Sequence, residues 1–160
     1  MDYSAQPQVI NMLEPADYQA GSQDMDSVHM GKLHKLLIAI SLGAITGDGA
    51  WFKLWAGATA GVKTTELGFN YRVSGADFGA SGADVFGARA AIAAGASGLV
   101  LTAATHDHRV IQIEVPADAM PDGKPWLTVE TDDGSASVLL MGAVGFGWPR
   151  HAGDTHTTAL

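Results

Sequence analysis

Cysteine is absent from these 160 residues, which excludes a disulfide framework and thiolate zinc sites and fits synthesis in a reducing cytosol. Positive charge is scarce. Nine Lys and Arg face seventeen Asp and Glu, for a net charge of −8, and no basic cluster appears, so nucleic acid and anionic membrane are poor partners. Long apolar runs are missing as well. The densest, Leu36 to Ile45, is about half the roughly 20 residues a spanning helix needs, and it ends in Thr46-Gly47-Asp48-Gly49. The residues ahead of it carry Asp2, Glu14, Asp17, Asp24 and Asp26 with no Lys or Arg before Lys32. A secretory leader has the opposite charge at its start, so no targeting segment is expected.

What is present is alternation. Leu36, Ile38, Ile40 and Leu42 fall on one face of an extended strand, Phe52 and Leu54 on one face of a second, and Gly47-Asp48-Gly49 lies between. This spacing predicts a β-hairpin with one face buried. Thr65, Leu67, Phe69, Tyr71 and Val73 alternate with Glu66, Gly68, Asn70 and Arg72, which reads as a single half-buried strand. Arg109, Ile111, Ile113 and Val115 repeat the pattern until Pro116 ends it, having no N–H to give a ladder. Asp122-Gly123 predicts a turn, Trp126 to Thr131 a strand, residues 132–134 a turn, and Ser137 to Val144 a last strand. That last strand is apolar on both faces, so it is expected to be central or covered by another subunit. Residues 74–98, rich in Gly and Ala, are compatible with a short helix or a small-residue strand.

Short strands with Gly/Asp turns predict an all-β domain, a β-sandwich or jelly roll, over residues 26–145. At this size one domain buries roughly 70% of the surface its unfolded chain exposes. Residues 1–25, with Pro7 and Pro15 and no sustained period, are expected to form an extended N-terminal arm that is mobile in an isolated subunit; residues 146–160 are expected to be a short polar tail. Ile10, Leu13 and Tyr18 give the arm apolar surface for docking on a neighbour. Trp51 and Trp55 alternate with Phe52 and Leu54, so they belong to the opposite, outer face, as a ligand shelf, an interface or a second core layer.

Chemical motifs are weak. Gly57 and Gly61 in "GATAGVKTT" have three residues between them where a phosphate loop needs four, with Val62 before the Lys. Ser81 and Ser97 lack the second glycine of a nucleophile elbow. His106 and His108, two apart, share a face if they lie on a strand, with Glu114 as a third metal ligand in the manner of cupins. With Ile111 and Ile113 lining the core, however, both imidazoles point outward, away from a barrel interior. Asp132-Asp133 and Asp24/Asp26 read as turn formers and solvated edges rather than acid/base dyads. No catalytic, cofactor or metal site is therefore expected.

One resemblance organises these features. The acidic N-terminal stretch, the strand "LLIAISLGAIT" followed by a glycine-rich turn and a second strand, and "VLLMGAVGFGWPR" after a hairpin together resemble small structural proteins of tailed bacteriophage virions. The nearest group is the head decoration or cement proteins. The resemblance implies a jelly-roll or related sandwich, made in the host cytoplasm, that binds the major capsid protein on the outer capsid surface, commonly as a homotrimer, and stabilises the head without catalysis. Another virion part, in tail or neck, is the alternative within that class. A β-sandwich carbohydrate-binding protein or a cupin-like metal protein is the alternative from outside it.

Overall fold

The computed structural model describes residues 6–18, 21–133 and 138–151. The described residues build twelve strands and one α-helical turn, besides two 3-10 turns at Met30–Lys32 and Ala117–Ala119: β1 (Gln8–Asp17), β2 (Gly21–Asp24), β3 (Val28–His29), β4 (Leu33–Ile45), β5 (Trp51–Gly57), β6 (Thr65–Leu67), β7 (Phe69–Val73), β8 (Ala90–Ile92), β9 (Leu99–Val100), α1 (Ala103–His106), β10 (Val110–Pro116), β11 (Trp126–Asp133) and β12 (Leu139–Pro149). They form two antiparallel sheets packed face to face, an all-β sandwich. The first sheet runs β1-β12-β4-β10-β7-β8. The second runs β2-β11-β5-β6, with β3 also on β11 and β9 also on β5.

The alternation that marks the strands also fills the core. Leu36, Ile38, Ile40 and Leu42 of β4, Ile111, Ile113 and Val115 of β10, and Met141 and Ala143 of β12 point inward from the first sheet; Phe52 and Leu54 of β5 and Leu127 and Val129 of β11 meet them from the second. Burying a side chain of this size contributes about 1.5–3 kcal/mol.

Three expectations about connectivity are corrected. β4 and β5 do not pair as a hairpin: β4 sits between β12 and β10, and β5 between β11 and β6, so residues 46–50 cross from one sheet to the other. Contacts outside the crossing hold it. Thr46 donates its N–H to Val138 O, Gly49 donates to Leu101 O, and Asp48 Oδ1 accepts the Ala103 N–H. A hairpin and a sheet-to-sheet corner bury the same alternate residues, so alternation does not separate them. In the same way the stretch from Thr65 to Val73 is two strands. It leaves the second sheet at Gly68, where a Cβ would lie 3.0 Å from Ile92 O, and enters the first sheet with Leu67 and Phe69 both buried. Residues 74–98 contain no helix, only turns and the three-residue β8 on the sheet margin.

The third correction concerns the ends of the domain. Residues 8–17 are an edge strand of the first sheet, with Ile10 only 2% and Met12 3% exposed. The arm expected over 1–25 is thus largely part of the sandwich, and Met25 is core. β12 likewise continues through Pro149, so residues 146–149 are strand rather than tail, and Arg150 donates to the Leu33 carbonyl. The proposed tail beyond residue 151, and residues 1–5, lie outside the described residues.

Candidate docking face

Because β12 lies between β1 and β4, side chains at every second position emerge on the outer surface of the first sheet. Register places them in rows. Val9, Phe146, Leu37, Glu114 and Asn70 are successive cross-strand partners, and so are Asn11, Val144, Ala39, Gln112 and Arg72. The β1/β12/β4 half of this face is apolar and the β10/β7 half is polar. Val9 is 61% and Leu140 40% exposed, while Phe146, Val144 and Leu37 are half-buried. Trp148 extends the apolar strip, with Lys35 Nζ 4.6 Å from its ring centroid and also 3.6 Å from Glu114. Apolar rows on a solvent-facing sheet mark interaction surface more often than scattered exposed residues do.

The face has relief. β1 loses register with β12 between Asn11 and Leu13 and again between Leu13 and Ala16. The bulged strand leans over β12, with Pro15 about 3 Å from where a Gly142 Cβ would sit. Such bulges bend an edge strand and re-aim its side chains. Here they open a groove of about 820 Å³ floored by Val144 and Leu140 and walled by Leu13 and Pro15, with Glu14 on its rim. On the polar half lies a smaller recess of about 240 Å³ bounded by Arg72, Arg89, Asn70, Gln112 and Glu114, with Leu37 joining it to the apolar rows. Neither arginine forms an ion pair or hydrogen bond among the described residues.

Of the residues expected to mediate contacts, Leu13 lines this groove. Ile10 is committed to the core beneath it, and Tyr18 is half-buried, its hydroxyl donating to the Glu14 carbonyl at 2.7 Å. Burial, assisted by the Glu14 charge, raises the Tyr18 pKa. Trp51 and Trp55 lie on the outer side of the second sheet, away from the groove, and both are half-buried. Trp55 gives its indole N–H to Glu130 Oε2 at 2.6 Å; Glu130 Oε1 accepts from Lys63 and Ser22, and Lys63 also reaches Asp24 at 2.8 Å. Burial works to raise the Glu130 pKa, but the hydrogen bonds from Lys63, Ser22 and Trp55 outweigh it and hold the carboxyl below its ordinary value. Lys63 is pulled down by burial and pushed above its ordinary value by Asp24 and Glu130. With the indole donor already used and Lys53 over the Trp51 ring at 5.2 Å, this side is a braced polar surface rather than an open aromatic shelf.

The histidines do not share a face. His106 ends the single turn α1 and is 6% exposed, with Nδ1 3.1 Å from the Thr102 N–H; His108 adopts φ 52° in the following turn and projects to solvent. His106 closes a helical turn and His108 follows in a left-handed conformation, so neither lies on a strand and two-residue spacing does not place both imidazoles on one side. Glu114 is spent on Lys35. Among the described residues no group of three or more His, Asp or Glu is placed to hold a metal ion.

The outer face was partly legible in the doubly apolar β12; the same signal, Leu37 and Ala39 between the core residues of β4, also points to it. Arg72 and Arg89 carried no such signal, since only register brings them together. No family model, curated protein or solved structure matches this chain.

Proposed function

We propose that this chain is a non-enzymatic structural protein of a tailed-bacteriophage virion, a decoration protein that assembles on the exterior of the capsid and stabilises the head. The observation that carries this reading is the row Val9–Phe146–Leu37: an apolar strip on the solvent side of a sheet whose other side already fills a complete core. Such a strip is surface kept for assembly. The sandwich fold agrees with the architecture that the family resemblance implies. A protein of this kind works by adding buried area that rupture of a pressurised shell must undo, and it needs no active site. Its partners are the major capsid protein and further copies of itself; it is made in the host cytoplasm and ends on the virion.

The test is reconstitution. Capsids lacking this protein are mixed with purified full-length chain and occupancy is read by cryo-electron microscopy or co-sedimentation, together with the temperature at which shells rupture. Saturable binding and later rupture are expected of the wild-type chain. Absence of binding by the wild-type chain would end the capsid assignment.

A further inference from the structure

The outer face of the first sheet carries three things at once: apolar rows across β12 and β4, an unpaired carboxylate on the β1 margin and unpaired guanidinium groups on the β7/β8 margin. Glu14 stands on the rim of the large groove, at the β1 side. Its carboxylate makes no ion pair among the described residues. Arg72 and Arg89 frame the small recess at the β7/β8 side, beside Asn70 and Gln112. In a chain of net charge −8, two neighbouring arginines without an ion pair among the described residues are conspicuous; Glu114, the carboxylate in the same recess, is paired with Lys35 instead. The guanidinium fork matches a carboxylate in two parallel hydrogen bonds.

The strand order relates the two margins. β1 and β7 lie two strands to either side of β4 in the sequence β1-β12-β4-β10-β7. A two-fold axis running along β4 therefore sets β1 of one copy over β7 of another, and does so twice. Along the strands the match also holds. Arg72 shares a row with Gln112, Ala39 and Val144, while Glu14 falls between the partners of Ala143 and Met141. The offset is about two residues, roughly 7 Å along a strand, which an arginine side chain spans. At the axis Leu37 and Ala39 of the two copies meet, while β12 of each copy lies over β10 of the other, which sets Val144 and Phe146 against the second copy's Gln112 and Glu114 rows. Four strands about 4.8 Å apart and roughly 25 Å long give a projected face on the order of 500 Å², and the accessible area exceeds the projection, approaching the roughly 800 Å² a side of a stable interface. The Lys35–Glu114 pair on this face neutralises itself and leaves the arginines to the partner.

We propose that the outer face of the first sheet docks on a second copy of this chain about a two-fold axis, the Glu14 carboxylate of each copy entering the Arg72/Arg89 recess of the other. The contact is isologous and self-complementary. It rests on the assembly role assigned to this face above and replaces, as the primary contact, the threefold one that the family resemblance implies.

Analytical ultracentrifugation of the full chain tests it, with circular dichroism confirming that each variant folds. The wild type is expected to be a dimer at micromolar concentration. Arg72→Glu/Arg89→Glu and, separately, Glu14→Arg are each expected to weaken it by about tenfold or more in Kd. The decisive sample is the triple variant Glu14→Arg/Arg72→Glu/Arg89→Glu, in which both contacts are swapped in sign and dimerisation returns. A wild type that stays monomeric at about 100 µM, a trimer indifferent to these substitutions, or a swapped variant no better than its parents would overturn the proposal. So would a monomer whose binding to stripped capsids depends on Arg72 and Arg89, because the occupant would then be the shell. In that case the virion role stands and the self-contact falls; a dimer with no capsid binding gives the reverse.

Discussion

Trp55 and Glu130, on adjacent strands of the second sheet, are joined by an indole N–H to Oε2 hydrogen bond of 2.6 Å. The same carboxylate holds Lys63 and Ser22, so three donors depend on one side chain. Glu130→Ala should destabilise the fold by about 1–3 kcal/mol, since the partners lose their acceptor while still partly enclosed. The acid response follows from the depressed Glu130 pKa. Folded protein binds fewer protons at this site than unfolded chain, so its contribution is complete above the ordinary glutamate value near 4.3 and is lost as pH falls through the lower folded value. Thermal melts from pH 6 to pH 3 should therefore fall less steeply in Glu130→Gln than in wild type; parallel curves would contradict the network.

His106 titrates in a higher window. Its pKa is lowered chiefly by burial; the hydrogen bond with the Thr102 backbone partly offsets this, and the Arg109 charge adds a smaller lowering effect. The unfolded imidazole takes up a proton near the ordinary value of about 6.5 while the folded one resists. Stability is thus full above that value and declines as pH drops from it toward the folded pKa. Replacing His106 with Gln should flatten the melting temperature between pH 7 and pH 5, and an unchanged slope would remove His106 as the cause.

Gly57 closes the loop from β5 to β6 by close approach. A Cβ there would lie 1.8 Å from Val62 O and 2.8 Å from Val62 C, both backbone atoms. Gly57→Ala should cost about 1–3 kcal/mol or more through forced backbone movement. Gly123, at φ 72° with open space around it, is the contrast: alanine there should cost only about 1 kcal/mol. Equal chemical denaturation midpoints for the two variants would refute the clash.

Ile10 reports on the edge strand. Ile10→Ala should destabilise by about 2–5 kcal/mol, comparable to Ile40→Ala or Leu54→Ala, because all three side chains are almost fully buried. Deleting residues 1–17 should go further, baring the edge of β12 and the flank of the core that Ile10 and Met12 cover beside Gly145 and Gly147. A deletion that melts like the full chain would restore the view of this segment as a detachable arm.

The inward faces of β4, β5 and β10 were readable from period-two alternation, since a half-buried strand leaves that imprint directly. Partner identity was not. The crossing at 46–50 and the sheet change at Gly68 preserve alternation while altering what each strand pairs with, so a hairpin and one long strand were read where corners exist. In β1 only Ile10 and Met12 point fully inward before bulges and Pro15 interrupt the period, too short a signal against two prolines and acidic neighbours. The candidate face was visible in Leu140 and Val144, whereas Phe146 was read as part of the tail although it continues the same strand. The arginine recess of that face was not visible, because Arg72 and Arg89 are separated in sequence and meet only through β7, β8 and β10.

The pairing of β1 with β12 bears on how the protein is made. The hydrogen bond from Leu139 N–H to Asp17 Oδ1 spans 122 positions, so the first sheet stays open on the ribosome until residues 139–149 have been translated. Until then Ile10 and Met12 have no sheet to join, and β4 lacks a neighbour on one side. Non-local closure of this kind slows folding and lengthens the interval in which an unpaired strand can join the wrong chain. Within a cell producing many copies at once, the step most exposed to error is the wait of β1 for its own β12, with another copy's β12 as the competitor.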